Sequence, residues 1–117
     1  LGDTTGAVAI WKRIAEKFTD TEFGDQSIYR IAMYFRLNGQ FNEAIKEFAK
    51  IANTQNDPNL AAESQFRIGE IYTRLGNCAN AVVEYEKVKN NYAGVEYWYT
   101  LSLLNLADCY EKLGNIE

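Results

Sequence analysis

Apolar residues recur at three- and four-residue steps through almost the whole chain, the spacing of amphipathic helices rather than the alternation of strands. From about residue 4 to 18 the stripe is Ala7, Val8, Trp11, Ile14, Ala15 and Phe18, and Thr19-Asp20-Thr21 ends it. A second helix is predicted from about Glu22 to Leu37, with Phe23, Ile28, Ile31, Ala32 and Phe35 turned inward. Asn38-Gly39 stops it, because a residue able to take the left-handed conformation closes a helix C-terminus. A third helix, about Asn42 to Asn53, turns Ala44, Ile45, Phe48 and Ile51 to the core. Asp57-Pro58 is a strong start signal, a carboxylate for the orphan amides followed by a ring preset for the first helical residue. The fourth helix then runs to about Leu75 with Leu60, Ser64, Ile68, Gly69, Ile71 and Tyr72 inward, and Gly76-Asn77 ends it. The fifth, about Ala79 to Asn90, carries Ala81, Val82, Tyr85 and Val88. The sixth starts at Val95 or Glu96, carries Trp98, Leu103, Leu106, Ala107 and Tyr110, and closes at Gly114. The fold class is therefore all-α, with turns near 19–21, 38–41, 54–57, 76–78 and 91–94.

The pattern also repeats at long range. The strings beginning at Ala7, Ala44 and Ala81 share one design and start 37 residues apart; the same step links Gly2, Gly39 and Gly76, with Gly114 after 38. Such a period marks stacked helical pairs, which present surfaces to partners. Ala32, Gly69 and Ala107 share one place in the repeat, as do Ala44 and Ala81, and small residues let helices cross closely. Phe35, Tyr72 and Tyr110 in one helix of each pair, and Trp11, Phe48 and Tyr85 in the other, fill the space between these crossings.

Composition narrows the function. The chain has 117 residues, 47% hydrophobic and 24% charged, with a net charge of −4. That balance supplies no basic field for nucleic acid or an anionic membrane surface. No run reaches the ~20 apolar residues needed to span a bilayer, so direct membrane insertion of this segment is not expected. Leu1-Gly2 opens inside a repeat, which leaves room for a signal or lipid anchor upstream and leaves the compartment open. Cys78 and Cys109 occupy apolar places without a zinc or disulfide pattern and are expected as buried free thiols. There is no histidine, Gly-rich phosphate loop or nucleophile elbow, so neither an enzyme nor a cofactor is expected; a carboxylate group of Glu63, Glu70, Asp108 and Glu111 is the one catalytic idea the residues offer. Glu43–Lys46, Glu47–Lys50 and Glu84–Lys87 read as surface pairs, and Arg36, Arg74 and Lys112 as favourable charges near helix C-termini.

Ile31-Ala32 followed by Phe35, Gly39, Ala44 and Phe48, and Ile68-Gly69 followed by Tyr72, Gly76, Ala81 and Tyr85, together resemble the tetratricopeptide repeat. The period is longer than the usual ~34 residues, and Thr19, Asn56 and Ala93 stand where a proline commonly ends the second helix. The longer period resembles the bacterial branch found in cell-envelope proteins, among them outer-membrane assembly lipoproteins and the Tol-Pal coordinator. On this resemblance the chain is a single array: 3–19 the second helix of a truncated repeat, 22–56 and 58–92 two repeats, and 95–114 the first helix of a further one.

The resemblance implies a right-handed superhelix whose first helices line a concave groove, a protein-protein interaction scaffold, and a periplasmic or outer-membrane-associated place over the cytoplasm. The groove faces would carry Gln26, Tyr29, Met33 and Arg36, then Glu63, Phe66, Glu70 and Thr73, then Leu101, Leu104, Asp108 and Glu111. Tyr29, Met33, Phe66 and Leu104 would offer apolar contact and Glu70 and Asp108 would take a lysine or arginine, so an extended or helical peptide with basic and apolar residues is the implied partner. Alternatively Tyr29, Phe66 and Leu104 pack on the neighbouring repeat. Carboxylate-tail binding, as in the chaperone-binding members of the family, is not expected: the aligned places hold Tyr29, Met33, Arg67, Leu101 and Asn105, too few cations for a bidentate grip. Arg30 and Arg67 read as repeat-to-repeat ion pairs. A structural spacer or oligomerisation segment of a larger protein is the alternative function. Because the outer helices lack their repeat partners, apolar faces around Val8, Trp11, Leu103 and Tyr110 are expected to promote self-association.

Overall fold

A computed structural model describes residues 4–114, with side chains from Thr5 onward. Gly2, first of the glycine series, and residue 3, where the array was expected to begin, lie outside the described residues. Six helices follow one another: α1 (Thr4–Lys17), α2 (Glu22–Leu37), α3 (Phe41–Ala52), α4 (Pro58–Arg74), α5 (Cys78–Asn91) and α6 (Glu96–Lys112). No strand occurs among the described residues.

Local chemistry accounts for the boundaries. The Thr21 hydroxyl accepts from the Gly24 amide at 3.1 Å, the Asp57 carboxylate accepts from Asn59 and Leu60 at 3.1 and 3.2 Å, and Asn77 accepts from Asn80 at 3.1 Å. These satisfy first-turn amides that have no partner within the helix. At the other ends Gly39 and Gly76 take φ of 74° and 77°, which only glycine adopts without strain. There Gln40 donates to Phe35 and Gly39 to Arg36, and Asn77 donates to Tyr72 and Gly76 to Thr73, two copies of the Schellman motif.

Each helix packs on its neighbours in sequence, and α4 also touches α6, so the hairpins stack into a body of 48 × 30 × 20 Å. The core falls in two clusters. One joins Ala32, Ala44, Phe48, Ile68 and Ile71; the other joins Phe66, Cys78, Ala81, Tyr85, Val88, Leu106 and Cys109, and Tyr72 packs against both. Both cysteines are free and buried. Burial pushes the Cys109 thiol up, and its hydrogen bond with Cys78 acts in the same direction.

Ala32, Ala44 and Ala81 are fully buried, and a Cβ on Gly69 would stand 2.6 Å from Cε1 of Tyr85, so these crossings have no room for a larger group. Three expectations need correction. Ala107 is exposed, since no helix among the described residues covers that side of α6. Phe18 and Phe23, expected inward, are 42% and 73% exposed and touch each other edge-on at 6.3 Å. Val8, Trp11, Leu103 and Tyr110 are half-buried against neighbouring helices, and the more open apolar residues at the two ends are Ile10 and Leu104.

The α1–α2, α3–α4 and α5–α6 loops are tied along one edge. Buried Asp25 accepts from Thr54 at 3.0 Å and Asn56 at 3.1 Å, Asn56 also donates to Asp20 at 3.0 Å, and the Tyr92 hydroxyl donates to the Ala52 carbonyl at 3.1 Å.

Candidate protein-binding face

The helices α2, α4 and α6 carry the expected groove residues. A ladder of charged and hydrogen-bonded groups runs between α2 and α4. Tyr29 donates to Glu63 at 2.5 Å; Glu63 accepts from Arg67 at 3.0 Å; Arg67 reaches Glu70 at 3.1 Å; Glu70 also accepts from Arg36 at 3.3 Å. Arg67 further lies over the Trp98 ring of α6, 5.5 Å from its centroid, which carries the ladder to the third helix. Helical spacing explains it: Glu63, Arg67 and Glu70 are four and three residues apart on one face of α4. Burial works against the Arg67 charge, but Glu70 and Glu63 outweigh it and hold the guanidinium's pKa above its ordinary value. Burial first, then the Glu63 hydrogen bond, push the Tyr29 phenol up, so it stays a neutral donor.

This arrangement revises the roles expected from the sequence. Glu70, expected to receive a partner's cation, already receives Arg36 and Arg67, and the guanidiniums and carboxylates of the ladder cancel. Arg67 pairs within α4, and the ion pair that joins α2 to α4 is Arg36–Glu70. Arg30, expected in a similar pair, is exposed beside Trp11, Tyr29, Met33, Tyr34 and Leu37, around a cleft of about 410 Å³. Phe66, expected to line the groove, is 2% exposed and sits between the Tyr85 and Trp98 rings at 5.6 and 5.4 Å. Tyr29 likewise meets Phe48 edge-on at 5.9 Å. Thus Tyr29 and Phe66 face the following helices α3 and α5, and Leu104, the next residue in that row, is 60% exposed, with no helix after α6 among the described residues.

Met33 is half-buried and Asp108 and Glu111 are exposed, so these keep free surface. Among the surface pairs, Glu47–Lys50 and Glu84–Lys87 form at 3.2 and 3.4 Å, Glu86–Lys89 joins them, and Glu43–Lys46 is not formed. Two features of this face have no counterpart in the sequence reading, the Trp98 stack and the Asp25 clasp. The sequence marks Trp98 only as an apolar place, since its contact with Arg67 and Phe66 is made between helices, and Asp25 has no signal, because its partners stand 29 and 31 residues away.

No group of three or more potential metal ligands occurs among the described residues, and no described helix is long and apolar enough to cross a membrane. With this geometry in view, residues 63–94 match the family model of the tetratricopeptide repeat, a stretch that takes in most of α4, all of α5 and the loop before α6. That segment is similar to one such repeat, and the helices on either side extend the same hairpin stack. Repeats of this kind are in general modules of protein interaction and not of catalysis. No curated protein and no solved structure matches the chain.

Proposed function

We propose that the chain is a protein-interaction scaffold whose α2–α4–α6 face binds a segment of another protein. The observation that carries the reading is the Tyr29–Glu63–Arg67–Glu70–Arg36 ladder: a polar floor held in place by half-buried ion pairs, on helices that also carry half-buried Met33 and exposed Asp108 and Glu111. Such a floor is preordered, so its own side chains lose less freedom when a ligand binds. With Glu70 neutralised internally, the attraction for a basic partner rests on Asp108 and Glu111, and apolar contact rests on Met33 and its cleft. The partner is therefore an extended or helical segment carrying apolar and basic side chains. Fluorescence polarisation with synthetic peptides of that composition, against the same peptides with acidic residues, tests it. The basic series should bind, and Asp108→Lys combined with Met33→Asp should weaken it tenfold or more; equal binding of both peptide series ends the reading.

A second reading, a structural spacer or oligomerisation segment of a larger protein, draws on the same internal satisfaction of the ladder and predicts no peptide binding at all. The finer reading of the scaffold, a part in a bacterial envelope assembly, rests on the 37-residue period. Fractionation of cells making the full-length protein should recover it in the periplasm or with the outer membrane, and a cytosolic protein ends that reading.

A further inference from the structure

The α1–α2, α3–α4 and α5–α6 loops form two successive junctions along one edge of the stack, and the 37-residue step lets them be compared place by place. At the first, the buried Asp25 carboxylate accepts from Thr54 and Asn56, and Asn56 also reaches Asp20, so the loops are clasped. At the second, the places of Asp25, Thr54 and Asn56 hold Ala62, Asn91 and Ala93, which cannot rebuild the clasp. There the Tyr92 hydroxyl on the Ala52 carbonyl ties the loops instead, and a cleft of about 850 Å³ opens between them and the ends of α3 and α5. Helices α1 to α4 flank the first junction and α3 to α6 the second, so both are complete and the difference belongs to their own residues.

The lining has one chemical character. Asn53 and Gln55 bring carboxamides from one loop, Asn90 and Asn91 bring two more from the end of α5, and no lining residue carries an ionised side chain. All four carboxamide residues are exposed. Asn53 donates to the Ala49 carbonyl and keeps its side-chain oxygen, while Gln55, Asn90 and Asn91 form no side-chain hydrogen bond among the described residues. Burial pushes the Tyr92 phenol up, so it too stays neutral. The apolar lining, Ala52, Pro58 and Val95, is small. None of the ladder residues of α2 and α4 lines this cleft, so it is separate from the face described above.

We propose that this cleft binds a neutral saccharide. A carboxamide offers two donors and an acceptor, and a sugar hydroxyl both donates and accepts, so the two pair in either sense without any charge. A ligand with ionised groups would give up hydration and meet no counter-charge. A protein segment takes its binding energy from large anchors in pockets and from charge pairs, and small apolar groups among uncharged amides supply neither. The volume falls within the roughly 300–1,000 Å³ of ligand sites.

Two-dimensional NMR of the isotope-labelled chain reads the side-chain amides directly. Maltotetraose, cellotetraose and chitotetraose serve as neutral probes, tetragalacturonate as an anionic one, and a capped peptide of alternating serine and glycine as the protein-like one. At millimolar concentration at least one neutral tetrasaccharide should shift the Asn53, Gln55, Asn90 and Asn91 side-chain signals along a saturating curve, with the anionic probe and the peptide at least tenfold weaker. Gly94→Phe should abolish the shift, because a Cβ at Gly94 meets no atom within 4 Å and its ring would occupy the cleft. Asn90→Ala combined with Asn91→Ala, at two exposed positions, should weaken binding about tenfold or more by removing two hydrogen-bonding groups, with an unchanged circular dichroism spectrum. Met33→Asp, on the α2–α4–α6 face, should bind the saccharide like the natural chain. Silence of the four signals towards all three neutral saccharides, equal binding of the peptide or of tetragalacturonate, or undiminished binding by the double variant overturns the proposal.

Discussion

The string Ala44 to Ile51 in α3 and the string Ala7 to Ile14 in α1 share one pattern of alanine, aromatic and isoleucine places, yet Ala44, Phe48 and Ile51 are sealed at 0% exposure and Ala7, Trp11 and Ile14 are half open. Both helices form, because the period of their apolar residues is a local property. They differ in how they are covered, α3 packing on both α2 and α4 while, among the described residues, α1 packs chiefly on α2. Burial free energy scales with the apolar area removed from water, at about 25 cal/mol per Å², so one residue pattern is worth different amounts at the two places. Stability in a stacked array is thus a property of interfaces between helices more than of the helices themselves.

Truncation gives the largest contrast. Phe48→Ala should cost about 3–5 kcal/mol, and Trp11→Ala clearly less despite the larger ring, as read by urea unfolding of dilute protein; equal losses would mean that α1 is as well covered as α3. Overpacking comes next. Ala44→Leu should cost on the order of 1–3 kcal/mol while Ala107→Leu leaves the melting temperature nearly unchanged. Gly69→Ala belongs with Ala44→Leu: its methyl group would collide with the Tyr85 ring, which outweighs the ~1 kcal/mol that alanine gains over glycine in a helix. A stabilised Gly69→Ala protein would refute the close crossing.

A smaller effect, of opposite sign, separates polar from apolar burial. Ser64 and Ser102 share one repeat position, and both hydroxyls are buried without a hydrogen-bond partner among the described residues. Removing an unsatisfied buried group saves about 1 kcal/mol, so Ser64→Ala and Ser102→Ala should each raise the melting temperature, and a fall would show that the hydroxyls are paired. The smallest effect is confined to acid pH. Glu86 is held below the ordinary glutamate value, first by the Tyr110 hydroxyl and then by Lys89. A lowered folded-state pKa contributes stability that is present above the unfolded value and lost as pH falls through the folded one. Tyr110→Phe should therefore lose stability at neutral pH relative to the natural chain, the two converging in acid; a difference that persists in acid would assign the loss to packing.

Helix number, boundaries to within one or two residues, the closing glycines and the small residues at the inner crossings were all legible in the sequence. Each depends on groups within a turn or two of one another, as when Asp57 reaches Leu60 or Gly39 reaches Arg36. The 37-residue step carried that local information into the stacked architecture, because equivalent residues must meet equivalent neighbours wherever the neighbours exist.

Tertiary structure decided what the sequence stated only as types. It turned Phe66 from a groove anchor into core, bound Glu70 to Arg36 and Arg67, joined Asp25 to a loop 29 residues away, and left Ala107 and Phe23 open. The physical reason is common to all of these. Periodicity tells which side of a helix is apolar, while the share of that side withdrawn from water, and the partner that meets a charge, depend on which helices stand next to it.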